Sequence, residues 1–266
     1  MIDAIFSFPG VDSQHIYGLG ICGGGGYMLS CGQMDKRLKK IATVSMFNTG
    51  AVRRESFQNS QADTVLKRLH EVASIREKEL NEDTLIYNAN MTEMKPEVGH
   101  QLPIEMYREG YEYYVETHFH PNSHSCFLQR NLMDLMVYDP VQFMYLLDQP
   151  LLMMAGDHAD TNYMSEQAFE LAITTKEKEL YYLKDATHIQ TYYKESVVKE
   201  AIEKLDINLK PGLNLLIGDN GSGKTSVLEG IAVALGGLFV NVAGVRTKNI
   251  VKDDVRMNIK ALGDSS

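Results

Sequence analysis

Residues 16–27 read Ile16-Tyr17-Gly18-Leu19-Gly20-Ile21-Cys22-Gly23-Gly24-Gly25-Gly26-Tyr27. Ile16 to Gly20 reads as a short strand that runs through Ile21 and Cys22 into four consecutive glycines. Gly20, Cys22 and Gly24 fit a G-x-[nucleophile]-x-G pattern, which exists because a sharp strand-to-helix turn leaves no room for side chains beside the reactive residue. Such a turn lifts Cys22 to the top of a sheet at a helix N-terminus, a place that favours the thiolate. The same glycines also fit a phosphate loop or a structural turn, and the pattern alone leaves the three open.

Two downstream segments bear on the choice. Pro150 to Ala155 is an apolar, strand-like run ending in Gly156-Asp157-His158-Ala159-Asp160-Thr161, a loop with two carboxylates. Leu180 to Leu183 is a further strand candidate, followed by Lys184-Asp185-Ala186-Thr187-His188-Ile189. The order is nucleophile, acid, histidine. In that scheme His188 takes the proton from Cys22, and a carboxylate holds the imidazole in its working tautomer. Asp160 is the first choice for the acid and Asp157 the second. Taken singly, a carboxylate after a strand is more often a helix cap, and a histidine an ordinary polar residue.

The stretches GICGGGGY (20 to 27), IATVSMFNTG (41 to 50), HPNS (120 to 123), QPLLMMAGDHADT (149 to 161) and DATHIQTY (185 to 192) together resemble the dienelactone-hydrolase-like branch of the α/β-hydrolases. The likeness covers residues 1–205. It implies an α/β fold with a parallel sheet flanked by helices, a Cys22, Asp160, His188 triad, and the Gly23 amide as an oxyanion donor. The implied substrate is a small acyl compound, an ester, lactone or thioester. Only about fifteen residues precede the elbow strand, so a partial hydrolase domain is expected, without the loop that supplies the family's second oxyanion N–H. A cap insertion is expected over about residues 51–148. Within it Ala62, Val65, Leu66, Leu69, Val72 and Ala73 follow helical spacing, which predicts an amphipathic helix over 57–80. Val198, Ala201, Ile202 and Leu205 predict a final helix packed on the sheet.

The second motif is Gly218-Asp219-Asn220-Gly221-Ser222-Gly223-Lys224-Thr225, a match to G-x-x-x-x-G-K-[ST]. Its glycines let backbone N–H groups curl around phosphate oxygens, Lys224 neutralises charge and Thr225 supplies a ligand for Mg²⁺. Leu213 to Ile217 reads as the strand before it, and Thr225 to Leu235 as the helix after it, with phosphates on the helix N-terminus. Residues 206–266 are similar to the N-terminal segment of AAA-class ATPases of the RecF/SMC-like type. That resemblance implies an ATP site made by Gly218, Asn220, Gly221, Ser222, Gly223, Lys224 and Thr225. No later apolar run ends in Asp-Glu, and Asp253-Asp254 reads as a solvated pair, so the expectation is ATP and Mg²⁺ binding without hydrolysis.

Composition bounds the rest. The formal net charge is −9; residues 206–266 hold 7 basic and 6 acidic side chains (+1), leaving −10 for residues 1–205. That balance argues against a general nucleic-acid binder. The 3 cysteines, Cys22, Cys31 and Cys126, are odd in number and sparse, which points to a reducing compartment. With no basic n-region before an apolar stretch at Met1 and no convincing span, the expectation is a cytoplasmic protein without membrane association. His118, His120 and His124 are a weak metal candidate. Cys31 and Cys126 read as small buried residues, and the Tyr107 to Tyr114 run as cap packing.

Two organisations of the whole chain compete. In one, a truncated hydrolase over 1–205 is joined directly to the opening of a P-loop ATPase over 206–266, with no Gly, Ser or Pro-rich linker. In the other, the chain is an ATP-binding module whose hydrolase-like part is an interaction or regulatory surface. A homo-oligomer or a complementing chain would supply lost strands or Walker B acids in either case.

Overall fold

The computed structural model describes residues 2–6, 11–121 and 125–205. The strand, loop and helix expected over 213–235, and the whole of the 206–266 unit, lie outside them.

Four strands, β1 (Tyr17–Ile21), β2 (Lys40–Val44), β3 (Leu151–Gly156) and β4 (Lys178–Leu183), form one sheet in the order β1-β2-β3-β4. All three pairings are parallel, with Ile21 opposite Val44, Val44 opposite Met154, and Gly156 opposite Leu183. A parallel sheet needs both faces covered, and the strands alternate accordingly. Ile41, Leu151, Met153 and Leu180 point to one core, with Leu29, Met46, Met164 and Ala168. Leu19, Ile21, Val44, Leu152, Met154 and Leu183 point to the other, with Ile189, Tyr192, Val197 and Ala201.

The helices follow from these faces. After α1 (Ile2–Phe6), α2 (Gly23–Met34) leaves β1 and packs on the first core through Leu29. Between β2 and β3 lie α3 (Thr49–Glu55), α4 (Val65–Glu82), α5 (Pro96–Gly99), α6 (Glu105–Tyr111) and α7 (Leu132–Val137). Then α8 (Asn162–Leu171) follows β3, while α9 (Gln190–Tyr193) and α10 (Glu195–Leu205) follow β4 and close the second face. In α10, Val197 and Ala201 are the buried residues, so the stripe of the final helix is centred one position before the expected one.

The helix expected over 57–80 begins only at Val65. Gln58 (φ 49°) and Asn59 (φ 61°) take left-handed backbone, which interrupts helical propagation and leaves two single 3₁₀ turns before Val65. Its inward face also differs: Val72 is buried, whereas Leu66 is 73% exposed. The face instead ends on Glu79, 6% exposed, whose Oε1 accepts from Ile86 N at 2.9 Å while Oε2 faces Arg130 Nη1 at 3.3 Å. A buried carboxylate satisfied twice in this way ties α4 to two later segments of the chain, at Ile86 and at Arg130.

No helix among the described residues is long and apolar enough to cross a membrane.

Candidate active site

In an open parallel sheet, the carboxyl ends of the strands are the edge along which loops gather. Here that edge carries Cys22 after β1, Ser45 to Asn48 after β2, Asp157 to Thr161 after β3, and Asp185 to His188 after β4. Cys22 has φ 54° and ψ −127°, a combination that side chains other than hydrogen rarely adopt. It is held there by backbone bonds on both sides: Cys22 N donates to Val44 O at 3.0 Å, and Cys22 O accepts from Gly25 N at 2.8 Å and Phe47 N at 2.9 Å. The turn expected from the glycine pattern is therefore present, with Gly23 as the first residue of α2.

His188 is 1% exposed and both ring nitrogens are engaged. Nδ1 lies 2.5 Å from Thr161 Oγ1, and Nε2 lies 2.7 Å from Tyr192 Oη. Tyr192, also 1% exposed, lies in the second core, against which Cys22 packs. Hydrogen bonds thus join Tyr192, His188 and Thr161, with Cys22 packed on the same core. Burial raises the Cys22 thiol above its ordinary range, an effect that Tyr192 and the Gly23 amide partly offset. Burial likewise lowers the His188 imidazole to about 3. The resting pair at neutral pH is a thiol and a neutral imidazole, so a base must act during the reaction rather than before it.

Asp160 stands elsewhere. Its Oδ2 accepts from Met106 N at 3.1 Å, one of the free donors in the first turn of α6, and its Oδ1 is buried without a hydrogen-bond partner. The carboxylate caps a cap-region helix, and the adjacent Thr161 takes the imidazole nitrogen in its place. Burial, followed in strength by the opposing Met106 bond, keeps the Asp160 carboxyl above its usual range. Asp157 is not at the imidazole either: its Oδ1 accepts from Ala186 N at 3.1 Å and lies 3.0 Å from His158 Nδ1. Two residues that sequence reasoning passed over, Thr161 and Tyr192, make the contacts to His188. Tyr192 had a signal available, since a spacing of four from His188 puts both on one side of a helical turn.

The remaining candidates sort as follows. His118 stacks on Tyr113 with centroids 4.4 Å apart, and Thr117 Oγ1 lies 2.8 Å from its Nδ1; His124 is outside the described residues. Among the described residues, the group with metal-ligand spacing is Asp157, His158 and Asp185, all exposed. Cys31 is half-buried against the first core and Cys126 is partly exposed; neither is in a disulfide. Of the tyrosine run, Tyr111 is buried and Tyr107 packs edge-on to Phe57 at 5.1 Å. Tyr107 also borders a cleft of about 330 Å³ with Val52, Arg53, Arg68 and Phe127. Gly218 to Thr225, with Asn220, Gly221, Ser222, Gly223 and Lys224, are beyond the described residues.

The chain is 26% identical over 208 residues to the uncharacterized protein YcjY of Escherichia coli (strain K12), covering 77% of this chain and 66% of YcjY. It is 25% identical over 197 residues to the uncharacterized protein PA2218 of Pseudomonas aeruginosa, covering 72% of this chain and 51% of PA2218. The chain therefore spans between half and two thirds of the length of these curated relatives. The crystal structure of PA2218 superimposes with a TM-score of 0.64 over 72% of this chain and 59% of that one. The α/β-hydrolase GrgF of Penicillium sp. sh18 superimposes with a TM-score of 0.55 at 19% identity, over 77% of this chain and 68% of GrgF. The fold is that of the α/β-hydrolases.

A family described as an AAA domain matches residues 189–265. The match spans the P-loop motif. It begins at 189, ahead of the expected junction at 205 and 206, and so includes α9 and α10, which pack on the hydrolase-like sheet.

The neutral state of His188 has a consequence for stability. Its folded pKa, about 3, lies below the ordinary value of 6.5, so between those values the unfolded chain binds a proton that the folded chain refuses. Stability present above pH 6.5 is lost as the pH falls towards 3, by up to about 1.4 kcal/mol per pH unit from this one group. Urea midpoints taken at intervals from pH 7 to pH 4 should fall more steeply for the wild type than for His188→Gln. Parallel curves would show that the imidazole is not held neutral.

Proposed function

We propose that the chain carries an α/β-hydrolase-type acyl-transfer site in which Cys22 attacks an ester, lactone or thioester carbonyl. The observation that carries this reading is the backbone of Cys22: a cysteine held at φ 54° on a strand-to-helix turn, packed on the core that holds Tyr192, the hydrogen-bond partner of the buried His188. Strain of this kind, on the order of 1–3 kcal/mol, persists where surrounding structure enforces it, and here it presents a thiol beside a base. His188 is the base, and Thr161 holds its Nδ1. The Gly23 amide faces the charge that develops on the carbonyl oxygen. The buried Thr49 hydroxyl, which has no hydrogen-bond partner and belongs to the first residue of α3, packed against Gly23, is the second donor in this reading. The test is hydrolysis of a short activated acyl ester by the wild type and by Cys22→Ala.

The AAA-domain match at residues 189–265 favours a second activity in the same chain, binding of ATP with Mg²⁺ by Gly218 to Thr225. Lys224 would pair with the β and γ phosphates and Thr225 would supply a ligand to the metal. At a concentration of MgATP a hundred times Kd, binding would stabilise the native state by about 2.7 kcal/mol. A rise in melting temperature in the wild type that Lys224→Ala removes is the expected result; an identical response in both would refute the P-loop reading.

A further inference from the structure

The cleft of about 330 Å³ between α3 and α4 is lined by two arginines, Arg53 and Arg68. The acids of neighbouring elements are committed to other cations: Glu55 and Asp139 to Arg54, Glu71 to Lys67, and Glu79 to Arg130. Among the described residues, no carboxylate lies within ion-pair distance of Arg53 or Arg68, although the chain as a whole is acidic, with a formal net charge of −9. We propose that this cleft is a binding site for a small organic anion, a carboxylate or phosphate on an apolar body, held by Arg53 and Arg68.

The way each cation is held decides what it can still bind. Arg68 Nε donates to Thr64 Oγ1 at 3.0 Å, Nη1 to Arg53 O at 2.6 Å, and Nη2 to Gln61 O at 3.3 Å and to Arg54 O. A guanidinium carries five N–H donors, so four are taken and one on Nη1 remains. The acceptors are carbonyls and a hydroxyl, which fix the fork at the carboxyl end of α3 without neutralising it. Arg53 is held differently. Its guanidinium carbon lies 5.0 Å from the centroid of the Phe127 ring, and its N–H groups meet no acceptor among the described residues. A ring face attracts the cation and leaves those donors for a further acceptor.

An oxyanion is the acceptor that fits. Two uncompensated cations give the cleft a positive potential, and carboxylate and phosphate oxygens match the guanidinium fork. Ser56 and Gln61 also line the cleft with neutral polar side chains that have no hydrogen-bond partner among the described residues. Tyr107, Phe127 and Leu132 add apolar wall, which suits an organic body better than a bare ion. Ser56 takes φ 62°, a strained backbone for serine, and strain of this kind gathers at ligand clamps.

The site does not depend on Cys22 being the nucleophile, and the experiment keeps the two apart. Benzoate and its uncharged counterpart benzamide are titrated into the full chain by calorimetry. The wild type should bind benzoate at least about 10-fold more tightly than benzamide, the scale of one charge-assisted hydrogen bond, and Arg53→Gln should lose that preference. Raising KCl from about 50 to about 500 mM should weaken benzoate alone. Equal affinity for the two probes, or equal benzoate affinity in wild type and Arg53→Gln, would overturn the site. Arg53 is exposed, so the variant should keep the wild-type melting temperature. Should it not fold, modification of the wild type by phenylglyoxal, mapped by peptide mass, decides: benzoate protects Arg53 if the site is real, and unprotected Arg53 overturns it. A kinetic arm then finds the source of the anion, using mono-4-nitrophenyl glutarate and its neutral analogue 4-nitrophenyl pentanoate. A preference in kcat/KM for the charged ester that Arg53→Gln abolishes puts the anion on the acyl substrate. No such preference, beside benzoate binding that Arg53→Gln loses, makes the ligand a separate anion. Turnover of neither ester would remove the acyl-transfer reading and leave the site standing on the calorimetry.

Discussion

Cys22→Ala should abolish turnover of a short activated acyl ester, with kcat/KM expected at least about 1,000-fold below the wild type and folding intact. The magnitude follows from the loss of a covalent nucleophile, for which knock-outs in hydrolases cost on the order of 10³ to 10⁶. Folding is spared because alanine keeps Cβ, and with it the backbone that Val44 O, Gly25 N and Phe47 N already hold. Cys22→Gly separates activity from stability. It is equally inactive, yet at φ 54° it relieves strain worth about 1 kcal/mol or more, so its unfolding midpoint should exceed that of Cys22→Ala. Such an ordering is expected where a side chain is kept at a cost in backbone energy because it reacts. Equal ester hydrolysis by wild type and Cys22→Ala would remove the acyl-transfer reading, and a less stable Cys22→Gly would remove the strain argument.

Gly20→Ala should cost about 3 kcal/mol of stability, at the upper end of what overpacking does, and activity should fall with it. A Cβ on Gly20 would stand 2.3 Å from Gly24 O, and 2.7 Å from both Gly24 C and Gly25 Cα. All three are backbone atoms of the first turn of α2, so no side chain can swing aside. Either β1 or α2 must move, and the residue between them is Cys22. The contrast is Gly110 in α6, where an added Cβ meets only Ile189 Cδ1 at 3.8 Å. Gly110→Ala should be neutral or stabilising by up to about 1 kcal/mol, because alanine is the better helix former. Denaturant titration of the two variants measures the difference, and equal midpoints would show that the elbow tolerates a side chain.

The glycine pattern around Cys22 was legible in the sequence because its cause is local. Gly20 and Gly24 lie four residues apart on one tight turn, and the clash that excludes a side chain involves only that turn. The strand at 151–156 was legible for a similar reason, since a strand buried on both faces reads as a short apolar run, whereas of 178–183 only Leu180 to Leu183 was read, because β4 opens on Lys178-Glu179 and buries only Leu183 fully. The helix over 57–80 was less so. Its apolar spacing was real, but the left-handed Gln58 and Asn59 are set by the loop that joins α3 to α4, and spacing carries no information about that.

What residue order by itself determined here is the elbow, the alternation of nucleophile, acid-bearing loop and histidine along the chain, and the phosphate-loop motif of Gly218 to Thr225. What only the tertiary structure decided is which neighbour meets the imidazole. Asp160 and Thr161 are adjacent in the chain, and the sequence favours the carboxylate for a role at a histidine. Yet the free amide of Met106, 54 positions away in the chain, claims Asp160, while Thr161 turns to His188. Tyr192 is likewise brought to His188 by α9 packing on the second sheet face, the core against which Cys22 also packs. Adjacent loop side chains diverge by direction, and direction is fixed by the long-range partners that satisfy each polar group, which is information no local pattern contains.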